Sequence, residues 1–161
     1  MDRTDAISKL TARGEQFELQ DITINGNVCK WFVNAPSTLP QMIKESISDQ
    51  TFYVYKTERY TFNEMYQRAS SLAAELIEKY GISPGDRVAI GMRNYPEWPI
   101  AFTAITSIGG IVVALNAWWE SDELEYGLNH TGTKVAIVDQ ERLDRIIGND
   151  RLNENYKKNR P

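Results

Sequence analysis

Glu120, Asp122, Glu123 and Glu125 place four carboxylates within six positions. Such a density could hold a divalent cation or divide into a general acid and a general base. Carboxylates are also favoured in the first turn of a helix, where the backbone dipole is positive. Because Ser121 or Asp122 can cap a helix running to about Asn129, the cluster is read as a helix start. Gly127, Gly132, Thr133 and Lys134 have the four-residue glycine gap of a phosphate-cradling loop but place threonine before lysine. They would also leave a helix and enter a strand, whereas a phosphate loop joins a strand to a following helix so that free amides face the anion. The reading adopted is a helix C-cap. No Gly-x-Gly-x-x-Gly occurs, which removes the dinucleotide fingerprint. Cys29 and His130 are the sole members of their types, so a Cys/His zinc site and any two-histidine site are excluded. A Cys-His catalytic pair is formally open, but the commoner fate of a single cysteine is inert burial. Trp118-Trp119 could face a ligand or pack against a neighbouring layer.

These groups need a framework. The chain has 161 residues, 42% apolar and 25% charged, which suits one compact domain rather than a disordered polymer. The net charge of -4, with scattered lysines and arginines, offers no basic stripe for a nucleic-acid backbone. One cysteine permits no internal disulfide, and the charged amino terminus through Gln20 has no apolar signal core, so a cytoplasmic location is expected. Ile100 to Trp119 is uncharged and long enough to cross a bilayer. It contains Thr103, Thr106, Ser107 and Asn116, is split by Gly109-Gly110 and is followed by acidic residues, so a buried helix, a turn and a buried strand are expected instead.

Residues 1–50 read as an irregular segment with one short helix through Met42, Ile43 and Ile47. Thr51 to Lys56 and Arg59 to Phe62 form a hairpin around Thr57-Glu58. Phe62, Met65, Ala69, Leu72, Ala73, Leu76, Ile77 and Tyr80 recur at helical steps, with Thr61 and Glu64 in capping-box relation and Gly81 at the end, so a helix spans about 61–80. Strand, helix, strand, helix, strand then follow: Val88 to Ile90, a helix from Asn94, Pro96 and Glu97 to Ile108, Ile111 to Leu115, the helix to about Asn129, and Val135 to Val138. Gln140 to Ile147 is amphipathic. Residues 51–147 are therefore an α/β layer, partially doubly wound, with a mostly parallel sheet and flanking helices. The polar stretch 148–161 is expected to be disordered. Composition and periodicity end there and name no reaction.

Tyr60-Thr-Phe-Asn-Glu-Met65, Gly85-Asp-Arg-Val-Ala-Ile90, Arg93-Asn-Tyr-Pro-Glu-Trp98 and Gly109-Gly-Ile-Val-Val-Ala-Leu-Asn116 resemble, in order, the early blocks of the adenylate-forming superfamily. Asn116-Ala-Trp-Trp119 with Asp122-Glu-Leu-Glu-Tyr-Gly-Leu128 is similar to AMP-forming fatty-acyl and related acyl-CoA synthetases. The resemblance covers about residues 55–147 and implies the amino-terminal subdomain of that fold. It further implies a parent enzyme that uses ATP, magnesium and coenzyme A to convert a fatty or aromatic carboxylic acid to its thioester through an acyl adenylate. The family's Ser/Thr/Gly-rich phosphate loop ending in Pro-Lys-Gly, its ribose-binding aspartate and its carboxy-terminal lysine have no counterpart among these 161 residues. The expectation is therefore a truncated, frameshifted, split or recombinant piece, with no catalytic, cofactor or metal residue of its own and inactive alone. Asn94, Glu97, Trp98, Asn116 and Trp118, close to strand ends, are the substrate-pocket candidates. Alternatives are a non-catalytic remnant that docks on a full-length partner and a plain folding fragment. Exposed sheet edges in either would favour self-association.

Overall fold

The computed structural model describes residues 2–149, in two compact units that divide after Thr38. The first unit holds helix α1 (Arg3–Leu10), capped by Asp2 accepting from the Asp5 amide at 2.8 Å, and strands β1 (Leu19–Ile24) and β2 (Asn27–Phe32), paired antiparallel. Asn25 and Gly26 have φ of 50° and 82°. Both central residues of this two-residue turn are left-handed, which matches the right-handed twist of the flanking strands. Residues 1–50 are thus more regular than the sequence reading held. Asn-Gly between Ile22-Thr-Ile24 and Asn27-Val28 is the overlooked signal. None of residues 2–38 is buried, and Cys29 lies exposed on β2 instead of taking the inert buried place expected of it.

The second unit starts with α2 (Leu39–Glu45), which contributes Ile43 to the core. Strands β3 (Thr51–Tyr55) and β4 (Glu58–Thr61) form a hairpin turning at Lys56-Thr57, one residue earlier than expected, with Lys56 at φ 52°. Helix α3 (Phe62–Glu78) opens on the foreseen capping box: Thr61 Oγ accepts from the Glu64 amide at 3.1 Å, and the Glu64 carboxylate accepts from the Thr61 amide at 2.8 Å. Next come β5 (Arg87–Gly91), α4 (Glu97–Ser107), β6 (Ile111–Ala114), α5 (Ser121–Thr131), β7 (Val135–Val138) and α6 (Gln140–Ile147). The sheet is three-stranded and parallel, in the order β6-β5-β7. The membrane-length stretch is α4, a glycine turn and β6, and no helix among the described residues is long and apolar enough to cross a bilayer.

Alternation along the strands sorts side chains into two cores. Val88 and Ile90 of β5, with Val112, Val135 and Ile137, face Met65, Ala69 and Leu76 of α3 and Ile100, Ala101, Ala104 and Ile105 of α4. Ala89, with Val113, Ala136 and Val138, faces Leu124 and Leu128 of α5 and Ile146 of α6. Val88, Ala89 and Ile90 are all fully buried, which explains why β5 reads as an unbroken apolar run.

On the second face Trp119 lies against α5 at Gly127, where an added Cβ would stand 2.7 Å from the indole Cζ3 and 3.1 Å from Leu115 Cδ2. A rigid ring cannot yield as a flexible side chain would. Gly127→Ala is expected to lose about 1–2 kcal/mol net, because overpacking outweighs the gain in helix propensity. Urea unfolding would read it as a lower midpoint at unchanged slope; a stabilised variant would show that the ring does not pack there.

Candidate functional site

The chain leaves β5 for α4 on one face, whereas β7 leads to α6 on the other, so the strand ends part and open a crevice between them. Ligands of open α/β sheets bind at such carboxyl-end switch points. A cleft of about 450 Å³ occupies this place, lined by Met92, Pro96 and Glu97 after β5, Val138 and Asp139 at the end of β7, and Tyr55 and Glu58 from the β3-β4 hairpin. A neighbouring hollow of about 240 Å³ holds Asn94, Trp98 and Tyr53 and shares the Tyr55, Tyr95 and Pro96 wall. Tyr55 and Tyr95 meet edge to face at 6.1 Å, and Trp98 stacks on Phe102 at 5.7 Å. Tyr53 donates to the Pro96 carbonyl at 3.4 Å; burial, reinforced by Tyr60, pushes its hydroxyl up to about 12. It therefore stays a donor at neutral pH.

Of the five residues singled out from the sequence, Asn94 and Trp98 line the smaller hollow and Glu97 the larger. Asn116 and Trp118 lie on the next loop, after β6. Asn116 spends its side-chain oxygen on the Trp118 amide at 2.9 Å, shaping the turn, and its carbonyl accepts from Trp119 at 3.1 Å. Trp118 is 66% exposed and lies under the Arg93 guanidinium at 3.6 Å. The tryptophan pair is therefore split, one ring at the surface and one half-buried against the second core.

Residues not foreseen tie these loops together. Asp139 caps α6, accepting from the Arg142 amide at 3.1 Å, and also accepts from the Arg93 amide at 3.0 Å. Arg142, fully buried, donates through Nη1 to both Asp139 oxygens at 3.0 and 2.9 Å and to Glu141 at 2.9 Å; its Nη2 donates to the Ala117 carbonyl. Arg145 Nη1 donates to the Trp119 carbonyl at 2.6 Å, and Ser121 Oγ donates to the Arg145 carbonyl at 3.0 Å. The signal for Asp139 was its place between an apolar strand and a helix. Arg142 stands four residues before buried Ile146 and so shares its face, but an arginine there reads as surface.

The acidic cluster resolves into helix chemistry. Glu120 is the N-cap of α5, not Ser121 or Asp122, and its amide donates to Glu123 at 2.9 Å within a capping box. Ser121 is occupied with Arg145 instead. No three His, Cys, Asp or Glu side chains among the described residues converge to hold a metal. Gly132 takes the left-handed C-cap position, and Lys134 bridges Asp86 at 2.7 Å at the amino ends of β7 and β5, away from the crevice. His130 stacks on Tyr126 at 5.0 Å. The charged residues lining the larger cleft, Glu58, Glu97 and Asp139, are all acidic, and the helix after β5 starts at Pro96 with no glycine-rich turn. This cleft is unsuited to a triphosphate.

The sequence model for AMP-binding enzymes matches residues 43–160. The chain belongs to this family. A long-chain-fatty-acid–CoA ligase of Escherichia coli O6:H1 is 34% identical over 104 residues, 63% of this chain and 18% of that protein. A 4-hydroxybutyrate–CoA ligase of Metallosphaera sedula is 28% identical over 118 residues, 73% of this chain and 21% of that one. The chain thus spans about a fifth of the length of these curated relatives. Among solved structures, a Rhodopseudomonas palustris protein named for long-chain-fatty-acid CoA ligation superposes with a TM-score of 0.64 at 27% identity, over 69% of this chain and 29% of that one. An anthranilate CoA ligase solved with anthranoyl-AMP gives 0.64 at 24% identity, over 77% and 23%. The partial doubly wound layer is the amino-terminal subdomain architecture of adenylate-forming enzymes.

Burial alone would raise the Asp139 carboxyl. The Arg93 amide and the guanidinium and amide of Arg142 outweigh it and hold the group below the ordinary carboxylate value. A depressed folded value gives stability that is complete above about pH 4 and is lost as pH falls through the lower folded value. Asp139→Asn is therefore expected to cost about 1.5–3 kcal/mol at pH 7, the range for hydrogen bonds to a charged group, with the gap to the unaltered chain narrowing in acid. Urea titrations from pH 7 to pH 3 would test this; a constant gap would refute it.

Proposed function

We propose that this α/β layer is the amino-terminal part of an AMP-forming carboxylic acid–CoA ligase, as it is in the CoA ligases it resembles. The observation that carries the reading is the family match across 43–160, which takes in the whole parallel sheet and both helix layers. In that reaction the carboxylate attacks the α-phosphorus of ATP and releases pyrophosphate. The thiol of coenzyme A then displaces AMP from the acyl group. Charge at the phosphates must be stabilised by convergent donors, which the acidic and aromatic strand-end cleft does not supply.

In this reading the chain's own residues position rather than react. Asn94, Glu97 and Trp98 shape the wall beside the crevice, and Asn116 and Trp118 shape its crest, the loop between β6 and α5. ATP, magnesium and coenzyme A belong to the larger assembly, with a fatty or aromatic acid as substrate. The 161-residue chain alone is inactive. Pyrophosphate exchange with ATP across a panel of fatty and aromatic acids is expected to stay at background, and robust exchange would overturn this. The gene beyond codon 161 offers an independent check, through a Ser/Thr/Gly-rich loop ending in Pro-Lys-Gly in any frame.

Strands β6 and β7 bound the parallel sheet, and Ile111 on β6 is 48% exposed. Unpaired edges and apolar side chains favour association. Light scattering of the purified chain is expected to show oligomers growing with concentration; a monodisperse monomer at high concentration would count against it.

A further inference from the structure

Arg142 is a costly residue to bury. It has no exposed surface, and its Nε is a buried donor without an acceptor among the described residues. Buried ion pairs replaced by apolar side chains of similar volume often leave stability unchanged or raise it, so core stability does not account for an arginine at this place. The distribution of its other donors does. Nη1 holds the Asp139 carboxylate that in turn holds the Arg93 amide, and Nη2 holds the Ala117 carbonyl. Three residues further along α6, Arg145 holds the Trp119 carbonyl. The two guanidinium groups therefore grip the main chain immediately before and immediately after Trp118.

We infer that Arg142 and Arg145 of α6 form a clamp that fixes the Asn116–Glu120 loop in one register against the loop after β5, setting where Trp118 lies over Arg93. A planar fork with several donors can serve a carboxylate and a carbonyl in different directions at once; a lysine ammonium on a flexible stem cannot do so with the same definition. Arg142 is thus a positioning residue for the crest, acting through main-chain carbonyls and through Asp139. The inference rests on geometry and does not depend on the acid-activating reading, because it concerns order and not turnover.

Amide hydrogen exchange by NMR on the 161-residue chain tests it, with R142K and the double variant D139N/R142M. The first keeps the charge and loses the fork; the second removes the ion pair without leaving a lone buried carboxylate. In both, the amides of Ala101 and Ala104 in α4 should keep their protection. Those of Trp118 and Trp119, which bond to Asn116, should exchange about tenfold faster. The Arg93 side-chain resonances should also lose the ring-current displacement imposed by Trp118. Loop amides as protected as in the unaltered chain, with an intact core, would overturn the clamp. So would equal loss of protection in loop and core for both variants, since Arg142 would then serve general stability alone.

Discussion

β5 has water on neither face. Val88, Ala89 and Ile90 are sealed by helices from both sides while parallel neighbours satisfy their backbone on both edges, and this arrangement fixes the rest of the second unit. A strand buried on both faces must be apolar throughout. The helices covering it must come from opposite directions, and the loops leaving its carboxyl end must diverge from those of its neighbour. The crevice between β5 and β7 is a consequence of this covering. Burial of each large aliphatic side chain contributes about 1.5–3 kcal/mol, so the sheet supplies much of the free energy that holds polar loops at its end in defined positions.

The crest is held by a different kind of interaction. Asp139 and Arg142 are desolvated and gain less than their short distances suggest, because removal from water offsets much of their attraction. In exchange, hydrogen bonds have direction. A hydrophobic contact would tolerate sliding of the loop after β6, whereas a carbonyl bonded by a guanidinium that is itself fixed by a carboxylate admits few alternatives. The Nε of Arg142, without an acceptor among the described residues, marks the same choice of definition over stability.

Much of this was legible in the letters. Apolar residues at three- and four-residue steps located α3, the Thr61-Glu64 pair fixed its start, and short β-branched runs located the three parallel strands, because in each case the signal is local. The Asn25-Gly26 turn was also local, yet its strands carry little burial contrast to draw attention to them. Glu120 takes the cap expected of Ser121 or Asp122, and Ser121 bonds Arg145 across the layer, a contact that no local signal reports. The clamp was illegible for the same reason. Hydrogen bonds from Arg142 to Ala117 and from Arg145 to Trp119 span 25 and 26 residues, and an arginine in an amphipathic helix gives no indication that it points inward. With Asn116 and Trp118, the proposed pocket residues Asn94, Glu97 and Trp98 rest on the placing of strand ends, which periodicity can do. Their aromatic wall also needs Tyr55 from a hairpin whose docking no periodicity reports.

Fold and chemistry therefore make separate demands on this chain. A TM-score of 0.64 at about a quarter identity means that most superposed positions differ in residue type, which cores permit when volume and pattern are kept. The sheet needs only alternation and size at Val88, Ala89 and Ile90, so it places few demands on particular letters. Gly127 under Trp119 is stricter, because only a missing side chain suffices there. The polar crest is stricter again, because its geometry depends on which atoms donate. Phosphate chemistry would add the most stringent demand of all, an array of convergent donors at a helix start, and the acidic, proline-capped entry to α4 is built against it. A layer of this kind fixes the positions of its strand-end loops without supplying that array.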